Sequence, residues 1–364
     1  MFLALRDLRF AKGRFVLMGG VVALITLLLV LLSGLTAGLG NQSTSALAAL
    51  PADQIVFGAP AGDSAKASFT ESEVTRGQWS EWAAREGVAQ AELLGISQSR
   101  FQAVGPAGTP SGTASVAVFG TDGTGLAPAP LAEGTVVVGS SLAEELELRA
   151  GSLATVGGTE LTVSAVVPDQ WYSHTGVVWT TLADWRTLAH ITGTGAAATV
   201  IAVTSEDGQT LDADAANAAA GTVSTTRDGS FQALGSYKSE NGSLLLMQAF
   251  LYGISALVIV AFLTVWTVQR TRDIAVLKAL GGSSGYVLKD AMVQAAIVLL
   301  AGAATGGAAG LAGGVLAAGA APFLLTPQTI LLPVAGIVVL GLAGAALAVR
   351  SITRVDPLLA LGGN

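Results

Sequence analysis

Along this chain, long stretches without a single charge alternate with one long stretch rich in acids. Residues 15–52, 241–269 and 291–349 contain no Asp, Glu, Lys or Arg. A charge at the centre of a bilayer costs about 2.5–3.5 kcal/mol on insertion scales, so apolar windows of this length are the signature of membrane spans. Roughly 20 apolar residues cross a bilayer as a helix. The first two windows therefore predict one span each, at 15–40 and 241–268, with the polar Asn41-Gln42-Ser43-Thr44 end trimmed from the first. The third window is long enough for two spans, and Pro322, Pro327 and Pro333 interrupt its middle. Proline lacks the backbone donor and clashes with the preceding turn, so this cluster predicts a hairpin around 322–330 between spans at 291–321 and 331–350.

The stretch from 41 to 240 follows other periods. Thr70-Glu71-Ser72-Glu73 has capping-box spacing, and Trp79, Trp82 and Ala83 form an apolar stripe that stops at Gly87. Together they predict a helix over 71–86. Alternation and β-branched residues predict strands over 114–119, 135–138, 153–156, 160–167, 177–181 and 199–203, and helices are predicted over 141–148 and 211–220. Such an insertion is long enough for its own core. The expected fold class is an integral membrane α-helical protein of four transmembrane helices, with an α+β extracellular domain inserted between helices 1 and 2.

Composition agrees with this pattern: 51% hydrophobic residues, 12% charged residues and a mean hydropathy of +0.63 lie outside soluble usage. Charge adds orientation. Of 18 Lys and Arg, ten flank the spans: Arg6, Arg9, Lys12, Arg14, Arg270, Arg272, Lys278, Lys289, Arg350 and Arg354. With four spans all these segments share one side, which the positive-inside rule makes the cytoplasm. The expectation is a multi-pass protein of the cell membrane with both termini cytoplasmic and the acidic insertion outside. A basic start before an apolar run also fits a secretory signal peptide, but this run exceeds the usual apolar region of one. Leu5, Leu8 and Phe10 with Arg6, Arg9 and Lys12 predict instead an amphipathic helix over 1–14 on the inner surface. With no cysteine in the chain, thiolate chemistry and disulfides are excluded.

Little in the insertion spells catalysis. His174 and His190 are the only histidines, and neither has a carboxylate or serine at a diagnostic spacing, so they read as a loop and a helix-end histidine. Glu144, Glu145 and Glu147 read as a solvated helix face, and no metal-ligand spacing is evident. Gly120-Thr121-Asp122-Gly123-Thr124-Gly125 lacks the Lys-Ser/Thr that completes a phosphate loop, so no ATP hydrolysis is expected from the chain itself. Two features in the membrane part are more specific. Gly302, Gly306, Gly310 and Gly314 recur every four residues on one helix face, the spacing that lets helix backbones approach, with the fourth span and its Gly336, Gly341 and Gly344 as expected partner. In the loop at 269–290, Ile274, Leu277 and Leu280 share one face of a short helix, Arg270, Arg272, Asp273 and Lys278 supply charge, and Gly281-Gly282 ends it. This is a handle suited to a groove of a cytoplasmic partner.

Three segments resemble the MacB/FtsX-type permeases of ABC transporters. Leu5-Arg6-Asp7-Leu8-Arg9 with Lys12 and Arg14 is similar to the family's N-terminal helix. The run from Arg270 to Gly281 is similar to its signature, an acidic residue before a Leu-Lys/Arg-Ala-x-Gly ending, with Asp273 where glutamate is usual. Arg350-Ser351-Ile352-Thr353-Arg354-Val355-Asp356-Pro357-Leu358-Leu359-Ala360-Leu361 resembles its closing motif, and Gly134–Val167 resembles its small β-rich subdomain. The resemblance implies a homodimer bound to two copies of an ABC ATPase subunit that holds the ATP and Mg. Arg270, Arg272, Asp273, Ile274, Leu277, Lys278 and Gly281 would then form the coupling helix, and ATP-driven movement would reach the exterior domain by mechanotransmission.

Family members export macrolides, release lipoproteins, expel heme or regulate cell-wall hydrolases, and size and the compact exterior domain look closest to the heme-exporting, HrtB-like branch. Heme as substrate requires an apolar face and an iron ligand. Tyr237, Glu240, Met247, Phe250 and Tyr252 cluster in sequence at the outer end of the second span, and Glu240, Leu244 and Met247 share a helix face if the helix starts by 240. Carboxylate, phenolate and thioether all ligate heme iron. The competing reading makes Glu240 a dipole-favoured acid at a helix start and Met247 a packing filler. Export of another lipophile and an FtsX-like signal transmitter remain open alternatives.

Overall fold

The computed structural model describes residues 12–60, 62–105, 109–123, 125–191, 195–209, 211–269 and 283–352. Residues 1–11 of the expected N-terminal amphipathic helix, the coupling residues Arg270–Gly281 and most of the closing motif lie outside these residues. The chain divides into a membrane unit, 1–39 with 242–364, and an inserted unit, 40–241.

Helix α1 (Lys12–Ala48) is one helix of 37 residues. It runs past its expected end, through Asn41–Thr44, because the polar residues there have partners. Thr44 Oγ1 donates to Gly40 O at 2.9 Å, and Ser45 Oγ accepts from Trp171 N at 2.9 Å.

The inserted unit follows with β1 (Gln54–Phe57), α2 (Arg76–Ala83), β2 (Val88–Val104), β3 (Pro110–Gly120), β4 (Thr135–Gly139), α3 (Ser140–Glu145), β5 (Leu153–Val156) and β6 (Thr159–Val167). It ends with β7 (Trp171–Tyr172), β8 (Thr175–Thr180), α4 (Leu182–Leu188), β9 (Val200–Ser205), α5 (Ala213–Ala220) and β10 (Val223–Thr226). Strand order is β10-β1-β9-β2-β3-β8-β4-β6-β5, and β5 pairs back onto β2. β2 is thus shared: Val88–Leu94 pair with β9, while Phe101–Ala103 pair with β5 and close a small barrel.

The 71–86 helix expectation is corrected to α2, because the capping box is Thr75 and Gln78. Thr75 Oγ1 accepts from Gln78 N at 3.2 Å, and Gln78 Oε1 accepts from Thr75 N at 2.9 Å. Ser72 of the expected box instead donates to Thr199 O at 2.6 Å and accepts from Gly58 N at 3.1 Å, which ties its segment to the sheet. β2 itself escaped the sequence reading. Its Gly95 lies opposite Gly120 of β3, and the Trp185 indole fills the notch so tightly that a Cβ on either glycine would collide with it. On the other sheet face, Phe57, Phe69, Tyr172, Phe119 and Trp179 make successive edge-to-face contacts at 5.0–5.9 Å.

The membrane unit is completed by α6 (Gly235–Gln269), α7 (Ser284–Ala317) and α8 (Pro327–Ile352). With α1 they are the four helices long and apolar enough to cross a bilayer among the described residues. The connection between α7 and α8 is 318–326, four residues earlier than the expected 322–330. Pro327 opens α8, where a missing donor costs nothing, and Pro333 lies inside it, leaving Pro322 between helices. The partner expected for the glycine face is also corrected. A Cβ on Gly302 would stand 2.7 Å from Gly19 O, one on Gly306 would collide with Ala23 O, and one on Gly310 would stand 2.8 Å from Val30, so these residues face α1 rather than α8. Gly314 faces Leu325. The α8 glycines receive side chains: Leu299 at Gly341, Val260 at Gly344 and Tyr252 at Gly336.

Candidate functional site

The β7–β8 hairpin turns through two residues, Ser173 and His174, with φ of 49° and 64°. A two-residue turn with both φ positive matches strand twist but favours Asn-Gly, so a Ser-His pair holds strain of roughly 1–3 kcal/mol per residue. Such strain persists where the surroundings over-determine it. Here Ser173 N donates to Ser43 O and His174 N to Gln42 O, both at 3.0 Å. Ser173 Oγ lies 3.1 Å from Ser236 Oγ. The hairpin tip is therefore bound to the last turns of α1 and the first turn of α6.

Those bonds aim the imidazole. His174 Nε2 lies 2.9 Å from Glu240 Oε2 and 3.2 Å from Ser43 Oγ. His174 is the turn histidine that was expected, and the carboxylate and serine it meets are too far away in the chain for any sequence spacing to mark them. Serine, histidine and carboxylate together suggest an acyl-transfer triad, but both oxygens meet the same nitrogen. A triad needs one ring nitrogen for the nucleophile and the other for the acid. What the arrangement offers is an imidazole and a carboxylate on partly exposed side chains, 31% and 43% accessible, able to form an ion pair or to present N and O donors to a ligand. The available sequence signal was the two-residue gap between Trp171-Tyr172 and the β-rich run from Thr175. Beneath the turn, Tyr172 is buried in the aromatic row, and burial holds its phenol well above the usual range.

The remaining expected ligand residues are divided between units. α6 starts before Glu240, so Tyr237 and Glu240 are helical and belong to the inserted unit, where the Tyr237 ring packs on Phe231 at 6.1 Å. In the membrane unit, Met247 and Phe250 are 53% and 63% exposed. Tyr252 instead lies against Gly336 of α8, so it does not share their face. Among the described residues no group of three or more His, Asp or Glu could hold a metal ion.

Four spans, a β-rich insertion after the first and a charged loop after the second define a membrane permease architecture. The chain matches the MacB-like periplasmic core domain over residues 15–220 and the FtsX-like permease C-terminal model over 245–357. It belongs to the MacB/FtsX-like family of ABC transporter permeases. These are membrane subunits with a non-enzymatic role.

Among relatives, it is 23% identical over 369 residues to a protein of Staphylococcus haemolyticus named as a hemin transport system permease, HrtB, covering 100% of this chain and 99% of that protein. A protein of the same name from Staphylococcus epidermidis is 29% identical over 144 residues, 40% of this chain, and the match spans 41% of that protein's length. An uncharacterized ABC transporter permease of Mycobacterium tuberculosis is 29% identical over 128 residues, 33% of this chain and 34% of that protein. Among solved structures, the periplasmic region of MacB from Actinobacillus actinomycetemcomitans matches at 11% identity and a TM-score of 0.36, covering 50% of this chain and 91% of that one. The extracellular domain of the Gram-positive transporter YknZ matches at 13% identity and a TM-score of 0.34, covering 48% and 99%.

Proposed function

We propose that this permease subunit exports heme from the membrane by mechanotransmission, as a homodimer driven by two copies of a separate ABC ATPase. The observation that carries the reading is the Glu240–His174 pair at 2.9 Å, held by a strained turn at the start of a span. The full-length likeness to a permease named for hemin supports it. Imidazole, carboxylate, phenolate and thioether all ligate heme iron, and a flat apolar ring needs an apolar wall. Glu240 with His174 is the proposed anchor, and Tyr237, in the same unit, is a further donor. Both termini are cytoplasmic in this reading, and Arg270, Arg272, Asp273, Ile274, Leu277, Lys278 and Gly281 couple the span movement to ATP binding on the partner.

The test is a heme titration of the purified permease with its ATPase, followed by absorbance. Wild type is expected to bind saturably, and Glu240→Ala/His174→Ala to bind at least about tenfold more weakly, a loss of ~1.4 kcal/mol. Absence of saturable binding to wild type would leave the permease family standing and move the substrate to another lipophile.

A further inference from the structure

In the inserted unit, α2, β2 and the turn after β3 enclose a cavity of about 300 Å³. Its polar lining is Arg76, Glu92 and Asp122, with Trp79, Leu93 and Leu182 as apolar walls. Glu92 is the anomaly. Its Oε2 is buried and has no hydrogen-bond partner. Gly123 covers it so closely that a Cβ there would collide with the carboxylate, and the Gly123 amide donates elsewhere, to Thr121 Oγ1 at 3.1 Å. Glu92 as a whole is partly exposed, but a carboxylate oxygen shut off from water without a donor costs stability that an apolar residue in its place would not. Burial also pushes the Glu92 carboxyl up from its ordinary range. Packing alone therefore gives no reason for an acid here.

The other two polar residues of the lining decide which charge the cavity would accept beside Glu92. Asp122 Oδ1 accepts from Leu182 N at 3.1 Å, so this second carboxylate is fixed at the cavity by the start of α4. Arg76 is exposed and makes no ion pair among the described residues. A simple cation would be attracted by two acids but opposed by the guanidinium. A simple anion would meet the guanidinium but be opposed by both acids. A ligand carrying both charges satisfies all three, and the volume sits at the lower end of small-molecule sites, which are of order 300–1,000 Å³.

We infer that this cavity binds a small zwitterion of amino-acid type, its ammonium held by Glu92 and Asp122, its carboxylate by Arg76, and its side chain against Trp79 and Leu93. The site is independent of the heme reading, since it shares no residue with Glu240 or His174.

The test is calorimetric titration of the full chain in detergent micelles with L-phenylalanine, beside N-acetyl-L-phenylalanine and L-phenylalaninamide, each of which lacks one charge. L-Phenylalanine is expected to bind saturably and both derivatives about tenfold more weakly or worse. Glu92→Gln, which keeps the shape, should weaken L-phenylalanine by a similar factor. Arg76→Gln, at an exposed position where folding is not at stake, should weaken L-phenylalanine and narrow the gap to its amide. Equal binding by wild type and both variants would overturn the site. So would the absence of saturable binding by wild type to L-phenylalanine, L-leucine and L-lysine alike.

Discussion

Within the most apolar stretch of α7, 44% of residues are buried inside the chain, whereas in that of α6 the share is 11%, although α6 has the higher hydropathy, 2.2 against 1.8. Hydropathy decides whether a helix enters the bilayer; it does not decide what the helix packs on. In lipid, apolar side chains gain little by leaving one apolar environment for another, so close packing follows residue size. α7 carries small residues on the face that meets α1, and their missing side chains let Gly19 O and Ala23 O come close. α6 carries large ones outward, with Leu246, Phe250 and Leu257 at 58–69% exposure. Its contacts inside the membrane unit are local: Gln248 Nε2 donates to Thr36 Oγ1 at 3.0 Å, and Tyr252 and Val260 seat on α8 glycines. One helix is held by its own subunit, while the other offers a face to lipid or to a second copy.

The largest effect that sharpens this contrast is expected at Gly306. Its substitution by Ala forces a Cβ against a backbone oxygen that no rotamer change can move. Overpacking of this kind costs about 1–3 kcal/mol, so Gly306→Ala should lower the thermal stability of the detergent-solubilised chain, while Gly319→Ala, which meets open space, should leave it unchanged. Equal melting of the two variants would remove the size argument.

Second is the bare face of α6. The chain has no cysteine, so single introductions are clean. Under oxidation in membranes, Leu257→Cys is expected to give a disulfide-linked dimer and Leu299→Cys, fully buried on α7, only monomer. If cysteines at Leu257, Ile254 and Phe250 all stay monomeric, that face belongs to lipid.

The smallest effect is expected at Gln248→Leu. Side-chain hydrogen bonds between spans average roughly 0.6 kcal/mol, so its melting shift should be well below that of Gly306→Ala. The reverse order would mean that polar contacts, and not close backbone approach, hold this unit together.

The spans were legible because a chain folded in water scatters charge along its exposed surface, and windows such as 291–349 carry none. The stripe Gly302–Gly314 was legible as a face, but periodicity names no neighbour, and α1 took the place expected of α8. Strand β2 was hidden because Gly95 and the Ser and Gln residues after it interrupt the β-branched alternation, and Gly95 is where Trp185 needs room. The histidine site was harder still. Glu240 stood out at a helix start, but its partner lies across a strained turn, and Ser-His in a two-residue hairpin carries none of the usual Asn-Gly signal.

The most direct measurement of the central claim is ATP-driven heme transfer from proteoliposomes that contain the permease and its ATPase to an external apo-acceptor. ATP-dependent transfer is expected from wild type, and its loss from Leu277→Asp with heme binding retained. Heme that stays in the vesicles, with ATP turnover identical in its presence and absence, would contradict it.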